Sequence, residues 1–360
     1  MTPKEEQELW YDHIGRTEYI VLQIERLYRK AVLEYVRLGL HLEPRFNPDG
    51  DKMFAFASFP GFKERAQRIL RSLHKDITGI IATGIEREWH AANAKNDQII
   101  DDILKGYKVD RETLEKLKYR NLEALKAFQQ RKVGGMGLSE RVWKYTETFE
   151  SEMELILDVS LGQGKSATRI AQEAQPLLNE PNRLFRRVRD KRGVLRPSKA
   201  MKAYNPGPGI YKSSFKNSFR MARTEVNMAY RVADHERRMA TPFIVGYEVR
   251  RSNNPYPCDI CDAMKGRYPK SYIFRSVHPS CRCYVITILA TPDEIENWIN
   301  SGVDGPIKSV NEVTQMPQGW KEYVKKNRQR ILRAKEPPYW VRDNFKGANI
   351  MNGLKIDLPI

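Results

Sequence analysis

Apolar residues recur every three or four positions through most of residues 1–180, and this period constrains the fold more than any other feature of the sequence. The stretch 17–40 carries the pattern at Ile20, Ile24 and Leu27, and the stretch 62–89 repeats it. Such spacing places the apolar side chains on one face of a helix, and that face must be buried against another element. The sequence therefore predicts an antiparallel assembly of long helices.

The same region contains residues suited to begin helices. Asp110 is placed to cap a helix that runs to Phe128, and Ser139 is placed to cap the next one. The Gly-rich stretch before Ser166 resembles a phosphate-binding loop, but that motif requires glycine where this chain has Val159. We therefore interpret Ser166 as the cap of a further helix and exclude a nucleotide site here.

Beyond residue 180 the pattern changes to a mixture of helix, strand and loop. The expected elements are a Pro/Gly loop at 193–212, a helix at 214–239, strands at 243–249 and 284–289, a helix opened by a capping box at Thr291, and a helix at 320–334. This order predicts a small α+β module after the helical assembly.

The net charge of +17 is concentrated in two segments. Residues 181–240 contain 16 Lys or Arg against four Asp or Glu, residues 321–346 contain nine against three, and the rest of the chain is close to neutral. Concentrated positive charge favours a phosphate backbone or an acidic protein surface, and the alternative is a solvated surface that only aids solubility. The candidate binding residues are Arg183, Arg186, Arg187, Arg189, Lys191, Arg192 and Arg196.

Composition excludes two other classes of protein. Apolar residues make up 41% of the chain and aromatic residues 10%, which is too much for a globally disordered polymer. The first residues are polar and acidic, and no run of about 18 apolar residues occurs. We expect neither a signal peptide nor a membrane span.

All four cysteines of the chain fall within 26 residues. Cys258 and Cys261 form a C-x-x-C turn, and His278, Cys281 and Cys283 follow in an H-P-S-C-R-C sequence. Two thiolate pairs about twenty residues apart are typical of a structural Zn²⁺ site, for which these five residues are the candidate ligands. Reduced cysteines that pack a knuckle-shaped turn without metal, and disulfides, are the alternatives.

The sequence shows no catalytic constellation. No Asp/Glu-rich cluster accompanies His278, neither an H-E-x-x-H motif nor the deaminase pattern is present, and the other five histidines are scattered singly. We expect no catalytic residue, no small-molecule substrate and no enzymatic activity.

Three motifs together resemble a known family. Residues 221–225 read M-A-R-T-E, residues 258–266 read C-x-x-C-x-x-x-x-G, and residues 278–283 read H-P-x-C-R-C. This combination resembles the phage head morphogenesis family, also called Mu F-like minor head proteins, although Asp259 and Ile260 stand where Pro-x is commoner in the family. The resemblance covers approximately residues 140–290.

The resemblance implies a minor virion component near the portal, present in few copies and made in the cytoplasm of the host bacterium. Portal and other head proteins are the expected partners, packaged double-stranded DNA is a further one, and a membrane is not. Zinc is the expected cofactor. The alternatives are a nucleic-acid hydrolase or toxin-type effector carrying a Mu F-like module, and a cellular zinc-containing nucleic-acid-binding protein.

These observations give the expected organisation. Residues 1–135 form a helical N-terminal region, 138–290 a Mu F-like domain, and 291–360 a short helix with an extended basic tail. The fold class is mainly α: a helical N-terminal assembly followed by a small α+β module with a zinc-knuckle-like Cys/His turn and an irregular C-terminal tail.

Overall fold

A computed structural model describes residues 1–41, 55–160, 166–180, 187–189, 192, 195–197, 211, 213–252, 256–302, 305–334 and 337–344. The helices are α1 (Pro3–Leu40), α2 (Pro60–Leu104), α3 (Arg111–Leu117), α4 (Leu122–Gln130), α5 (Leu138–Ser160), α6 (Ala167–Asn179), α7 (Ser214–Ala240), α8 (Asp259–Ala263), α9 (Pro292–Asn300), α10 (Gln318–Leu332) and α11 (Tyr339–Asn344). The strands are β1 (Arg187–Arg189), β2 (Leu195–Pro197), β3 (Ile244–Arg250), β4 (Gly266–Pro269) and β5 (Tyr284–Leu289). The mainly helical class with a small α+β part is confirmed.

Three of the predicted helix starts follow from local sequence chemistry. The Asp110 and Ser166 side chains accept hydrogen bonds from backbone amides of α3 and α6, and Thr291 forms a complete capping box at α9. Two predictions about these helices are wrong. The helix expected from Asp110 to Phe128 is divided into α3 and α4, because Asn121 adopts a φ of 43° and its side chain caps α4. Helix α5 begins one residue before Ser139, so Ser139 is not its cap.

The chain forms two compact units. The first comprises Met1–Glu18, Gly84–Phe128 and Arg223–Ile360, and the second comprises Tyr19–Thr83 and Gln129–Ala222. Each unit is assembled from separated stretches, whereas the ranges expected from the sequence are contiguous. The limits of the family-like domain at residues 138 and 290 stay a prediction.

In the first unit, α1 and α2 are antiparallel. The Lys95 ammonium lies 3.6 Å from Glu6, and Nδ1 of His13 lies 2.7 Å from Glu88, so residue numbers rise along one helix as they fall along the other. The unit also contains a three-stranded antiparallel sheet of order β4-β3-β5. Strand β4 is not predicted from the sequence, because it has only four residues, of which the first is a glycine and the last a proline. It depends on pairing with β3.

The second unit has an aromatic core. The Tyr28 ring makes edge-to-face contacts with Phe149 and Phe215, and the Tyr35 ring does so with Phe56 and Phe149. All five side chains are fully buried, and such pairs stabilise a core by about 0.5–1.5 kcal/mol beyond their area burial. A two-stranded antiparallel hairpin of β1 and β2 belongs to this unit, and β2 corrects the expectation of a continuous loop at 193–212.

In the part of the chain that the structure describes, no helix combines the length and the apolar character needed to cross a bilayer.

Candidate metal centre

The Cys/His cluster is built from two turns of the first unit. Cys258 precedes α8 and Cys261 lies within it, so one helical turn carries both thiols. His278 and Cys281 lie in the turn before β5, where the Cys281 amide donates to the His278 carbonyl at 3.1 Å, and Cys283 directly precedes β5. Because β3 pairs with both β4 and β5, the sheet brings the two turns together.

The structure brings all five candidate ligands into two overlapping groups that share Cys261. One contains Cys258, Cys261 and His278, the other contains Cys261, Cys281 and Cys283, and within each group the ligand atoms lie within 4.8 Å of one another. Nε2 of His278 lies 3.4 Å from Sγ of Cys258 and 3.2 Å from Sγ of Cys261. The Sγ atoms of Cys261 and Cys281 are 4.0 Å apart.

Within each group of three, these separations are close to those between ligands of a tetrahedral ion. With Zn–S bonds of about 2.3 Å and Zn–N bonds of about 2.0 Å, tetrahedral ligands stand roughly 3.5–3.8 Å apart. All four cysteines are free thiols, so the disulfide alternative is not adopted in this structure. Cys261, Cys281 and Cys283 are buried, while Cys258 is partly exposed.

The thiols strongly influence one another. Hydrogen bonds from the thiols of Cys261 and Cys283 hold the pKa of Cys281 well below its usual range, with a smaller contribution from the charge of Arg231. The hydrogen bond with Cys281 conversely raises the pKa of Cys261. The three thiols thus form one interacting set of sulfur donors, which is the type of donor that a soft or borderline cation prefers.

Arg231 fixes the backbone of this cluster. Its guanidinium donates to the carbonyl oxygens of Arg275, Cys281 and Cys283 at 2.9, 3.0 and 2.6 Å. It also lies 4.9 Å from the ring centroid of Trp10 and 5.2 Å from that of Phe274. Sequence reasoning missed this residue, because an arginine in a helix is ordinarily solvent-exposed.

The motifs of the family resemblance contact one another. Arg223 and Arg282 both donate to the Glu18 carboxylate at 2.7 Å, which joins α7 to the turn that carries the cysteines. The Ser280 amide lies 3.3 Å from the Thr224 hydroxyl, which accepts its hydrogen bond. The M-A-R-T-E helix and the H-P-S-C-R-C turn are therefore parts of one structural site.

Helix α7 contains part of the positive charge of residues 181–240, and some of that charge is buried and paired. Arg237 pairs with Asp97 at 2.7 Å and Arg238 pairs with Asp234, and both guanidinium groups are almost fully buried. Their charges are neutralised inside the protein, which a count of Lys and Arg cannot show. Part of the basicity of residues 181–240 is thus unavailable to a partner.

The predicted basic binding residues are described only in part. Arg183, Arg186 and Lys191 lie outside the described residues, Arg192 is exposed, and Arg187, Arg189 and Arg196 lie in the β1–β2 hairpin. Their role in binding nucleic acid or an acidic partner stays a prediction.

The C-terminal region contributes to the core around the cysteines. Trp320 and Trp340 are buried in the same hydrophobic cluster as Cys261, Cys281 and Cys283. The Trp320 indole donates to the Tyr272 hydroxyl at 3.1 Å. Helices α10 and α11, which lie outside the resemblance, are therefore part of the structural surroundings of the site.

Two histidines outside the cluster, His13 and His235, are buried in the protein interior. Nδ1 of His13 donates to Glu88, and its Nε2 lies 2.7 Å from the side-chain oxygen of Asn227 in the fully buried interior. Burial lowers the pKa of both histidines.

Comparison of this chain with protein-family models, with curated proteins and with solved structures gave no match.

Proposed function

We propose that the chain is a non-catalytic minor head protein of a phage or prophage, which acts in head assembly near the portal and carries a structural zinc ion. The observation that carries the proposal is the contact between the M-A-R-T-E helix and the cysteine turn through Glu18 and Thr224. The three family-like motifs thus occupy one site, as parts of one functional module would.

The residues of the cluster fit Zn²⁺. Thiolate and imidazole are the donors that zinc selects, and a site with four protein ligands leaves no position for a substrate. His278 lies 3.4 and 3.2 Å from the two C-x-x-C thiols and Cys281 lies 4.0 Å from Cys261, so we assign the ligands as Cys258, Cys261, His278 and Cys281. Cys283 is then the remaining thiol.

The role of the metal in this proposal is to join two turns that have little regular structure. Helix α8 has five residues, and the His278–Cys283 stretch has no helix or strand. Both turns lie against a core that includes Trp320 and Trp340. A bound ion would fix this arrangement, because metal-binding energy in small Cys/His modules is available as folding energy.

Elemental analysis of purified protein tests the metal assignment. We expect about one zinc per chain, with loss of zinc in Cys261→Ser and His278→Ala and retention in Cys283→Ser. His41→Ala is the matched control, since His41 is exposed and lies outside the cluster. A metal-free protein with free thiols and an intact fold would refute zinc binding, and zinc loss in Cys283→Ser with retention in His278→Ala would refute the ligand set.

Particle analysis tests the assembly role. Particles from a lysate or an induced culture of the bacterium that carries this gene are separated by density and examined by quantitative mass spectrometry. We expect the chain in few copies per DNA-filled head, together with the portal protein. Its absence from purified heads while it is expressed in the same cells would refute the proposal.

The proposed location follows from that role. The chain is made in the bacterial cytoplasm and becomes part of the virion, where head proteins are its partners. The basic segment from Arg183 to Arg196 is the proposed contact for packaged DNA or for an acidic head protein, and salt weakens either contact.

A further inference from the structure

The C-terminal helix α10 has a strongly basic exposed face. Its buried side carries Trp320, Val324 and Ile331, which are at most 7% exposed. The α10 basic face consists of five exposed cations, Lys325, Lys326, Arg328, Arg330 and Arg333. At 100° per residue these positions cover about 200° of the helix circumference, which is nearly all of the side that does not face the core.

The charges of this face have no acidic partner in the described part of the chain. Among the residues that the structure describes, none of the five cations forms an ion pair. The one acidic residue of the helix, Glu322, accepts a hydrogen bond from Gln318 at 2.9 Å. This contrasts with α7, in which Arg237 and Arg238 are paired and buried.

The composition of the face distinguishes between possible partners. Besides the cations, the exposed positions of α10 that the structure describes are Gln318, Glu322 and Gln329. Stable protein interfaces are centred on buried apolar or aromatic anchors, whereas binding to a phosphate backbone uses cations and polar groups. The α10 basic face offers no such anchor within the described residues.

We infer that the α10 basic face binds the phosphate backbone of duplex nucleic acid without sequence preference. From Lys325 to Arg333 the cations extend over about 12 Å of helix, a length that carries about seven phosphate charges on a duplex. This inference goes beyond the proposed assembly role, because it concerns residues outside the family-like region and applies equally to a cellular protein.

The position of α10 keeps this face in a fixed orientation. Glycine at position 319 allows the helix to approach α8 closely, since an added Cβ would lie 2.7 Å from the Ala263 carbonyl oxygen. Trp320 is buried in the same cluster as Cys261. The five cations are therefore presented by a packed helix, and little ordering is needed before binding.

Fluorescence anisotropy with a random-sequence 30-base-pair DNA tests the inference on the full chain. The α10 variant carries K325Q, K326Q, R328Q, R330Q and R333Q. The control variant removes the same charge from exposed positions elsewhere, with K4Q, K105Q, K108Q, R111Q and K126Q. Both variants retain the basic segment before residue 197, and both lose five positive charges.

We expect the α10 variant to bind about tenfold or more weakly than the control variant at 0.1 M salt. Its plot of log affinity against log salt should be less steep by up to about 4.5, because each lost phosphate contact releases about 0.9 counterion fewer. Equal affinity and slope in the two variants would overturn the inference. So would a wild-type chain that does not bind the duplex at 50 mM salt.

A second measurement uses only wild-type protein, and it tests the inference even if the substitutions disturb folding. Wild-type protein is acetylated with and without the DNA, and the modified lysines are identified by mass spectrometry. We expect Lys325 and Lys326 to be protected at least about threefold more than Lys105 and Lys108. Equal modification would overturn the inference, whereas incorporation into heads is a separate readout that can fail while DNA binding persists.

Discussion

Replacement of Arg231 with methionine should open the cysteine turn. Methionine retains much of the apolar volume between Trp10 and Phe274 but removes the donors to the carbonyls of Arg275, Cys281 and Cys283. A buried carbonyl that loses its donor costs about 1–3 kcal/mol, and the two cysteines are nearly fully buried.

The expected magnitude follows from these contacts. Two deeply buried carbonyls give a cost of roughly 2–6 kcal/mol, which is partly offset because a guanidinium no longer has to be desolvated. A net value of about 3 kcal/mol corresponds to roughly a 150-fold change in an equilibrium constant. If the turn must be ordered to hold zinc, the apparent zinc affinity should fall by up to that factor.

Competition between the protein and a chromogenic zinc chelator measures this effect. Arg231→Lys should give an intermediate loss, because an ammonium lacks the planar fork that reaches three carbonyls. Arg267→Met, at an exposed position of β4, is the control and should keep its zinc affinity. If Arg231→Met binds zinc within about threefold of wild type and unfolds at the same temperature, the positioning role of Arg231 is wrong.

Three further predictions concern stability and activity. Burial alone would raise the pKa of Glu88, but hydrogen bonds from His13 and Arg16 outweigh it and hold the pKa at about 2. The free energy that Glu88 contributes to folding is therefore fully present above its ordinary pKa of 4.5 and is lost as the pH falls towards 2. The stability of the wild type should accordingly fall more steeply with decreasing pH than that of Glu88→Gln, as measured by acid unfolding followed by circular dichroism. Gly79→Ala should raise stability by about 0.5–1 kcal/mol, whereas Gly319→Ala should lower the unfolding temperature, because only the second Cβ meets a backbone carbonyl. Incubation with plasmid, single-stranded DNA or RNA and Mg²⁺, Mn²⁺ or Zn²⁺ should give no cleavage on gels, and cleavage that disappears in His278→Ala would identify an enzyme instead.

Much of the fold could be predicted because helix signals are local. The helical period, the caps at Asp110, Ser166 and Thr291, and the β-branched composition of β5 each depend on residues close together in the chain. The same holds for the cysteines, because a C-x-x-C turn brings two thiols together by itself. Strand β4 could not be predicted, because four residues carry almost no pattern and the partner strand supplies its hydrogen bonds.

A count of Lys and Arg residues does not show which of their charges are buried. The sequence presents Arg231 and Arg237 in the same way as an exposed arginine, yet each is buried against partners distant in the chain. Cys283, whose carbonyl Arg231 binds, is 52 residues away, and Asp97 is 140 residues from Arg237. Electrostatic neutralisation over such separations depends on how helices pack, and no local pattern records it.

The sequence by itself determined the helical character, the positions of three helix starts and the set of five residues able to bind a metal. Only the tertiary structure decided that His278 lies 3.4 and 3.2 Å from the two C-x-x-C thiols, that Arg231 holds the cysteine turn, and that α10 packs beside it with its cations exposed. The physical reason is that backbone propensity acts over a few residues, whereas burial and ion pairing act between surfaces that meet only after the chain has folded.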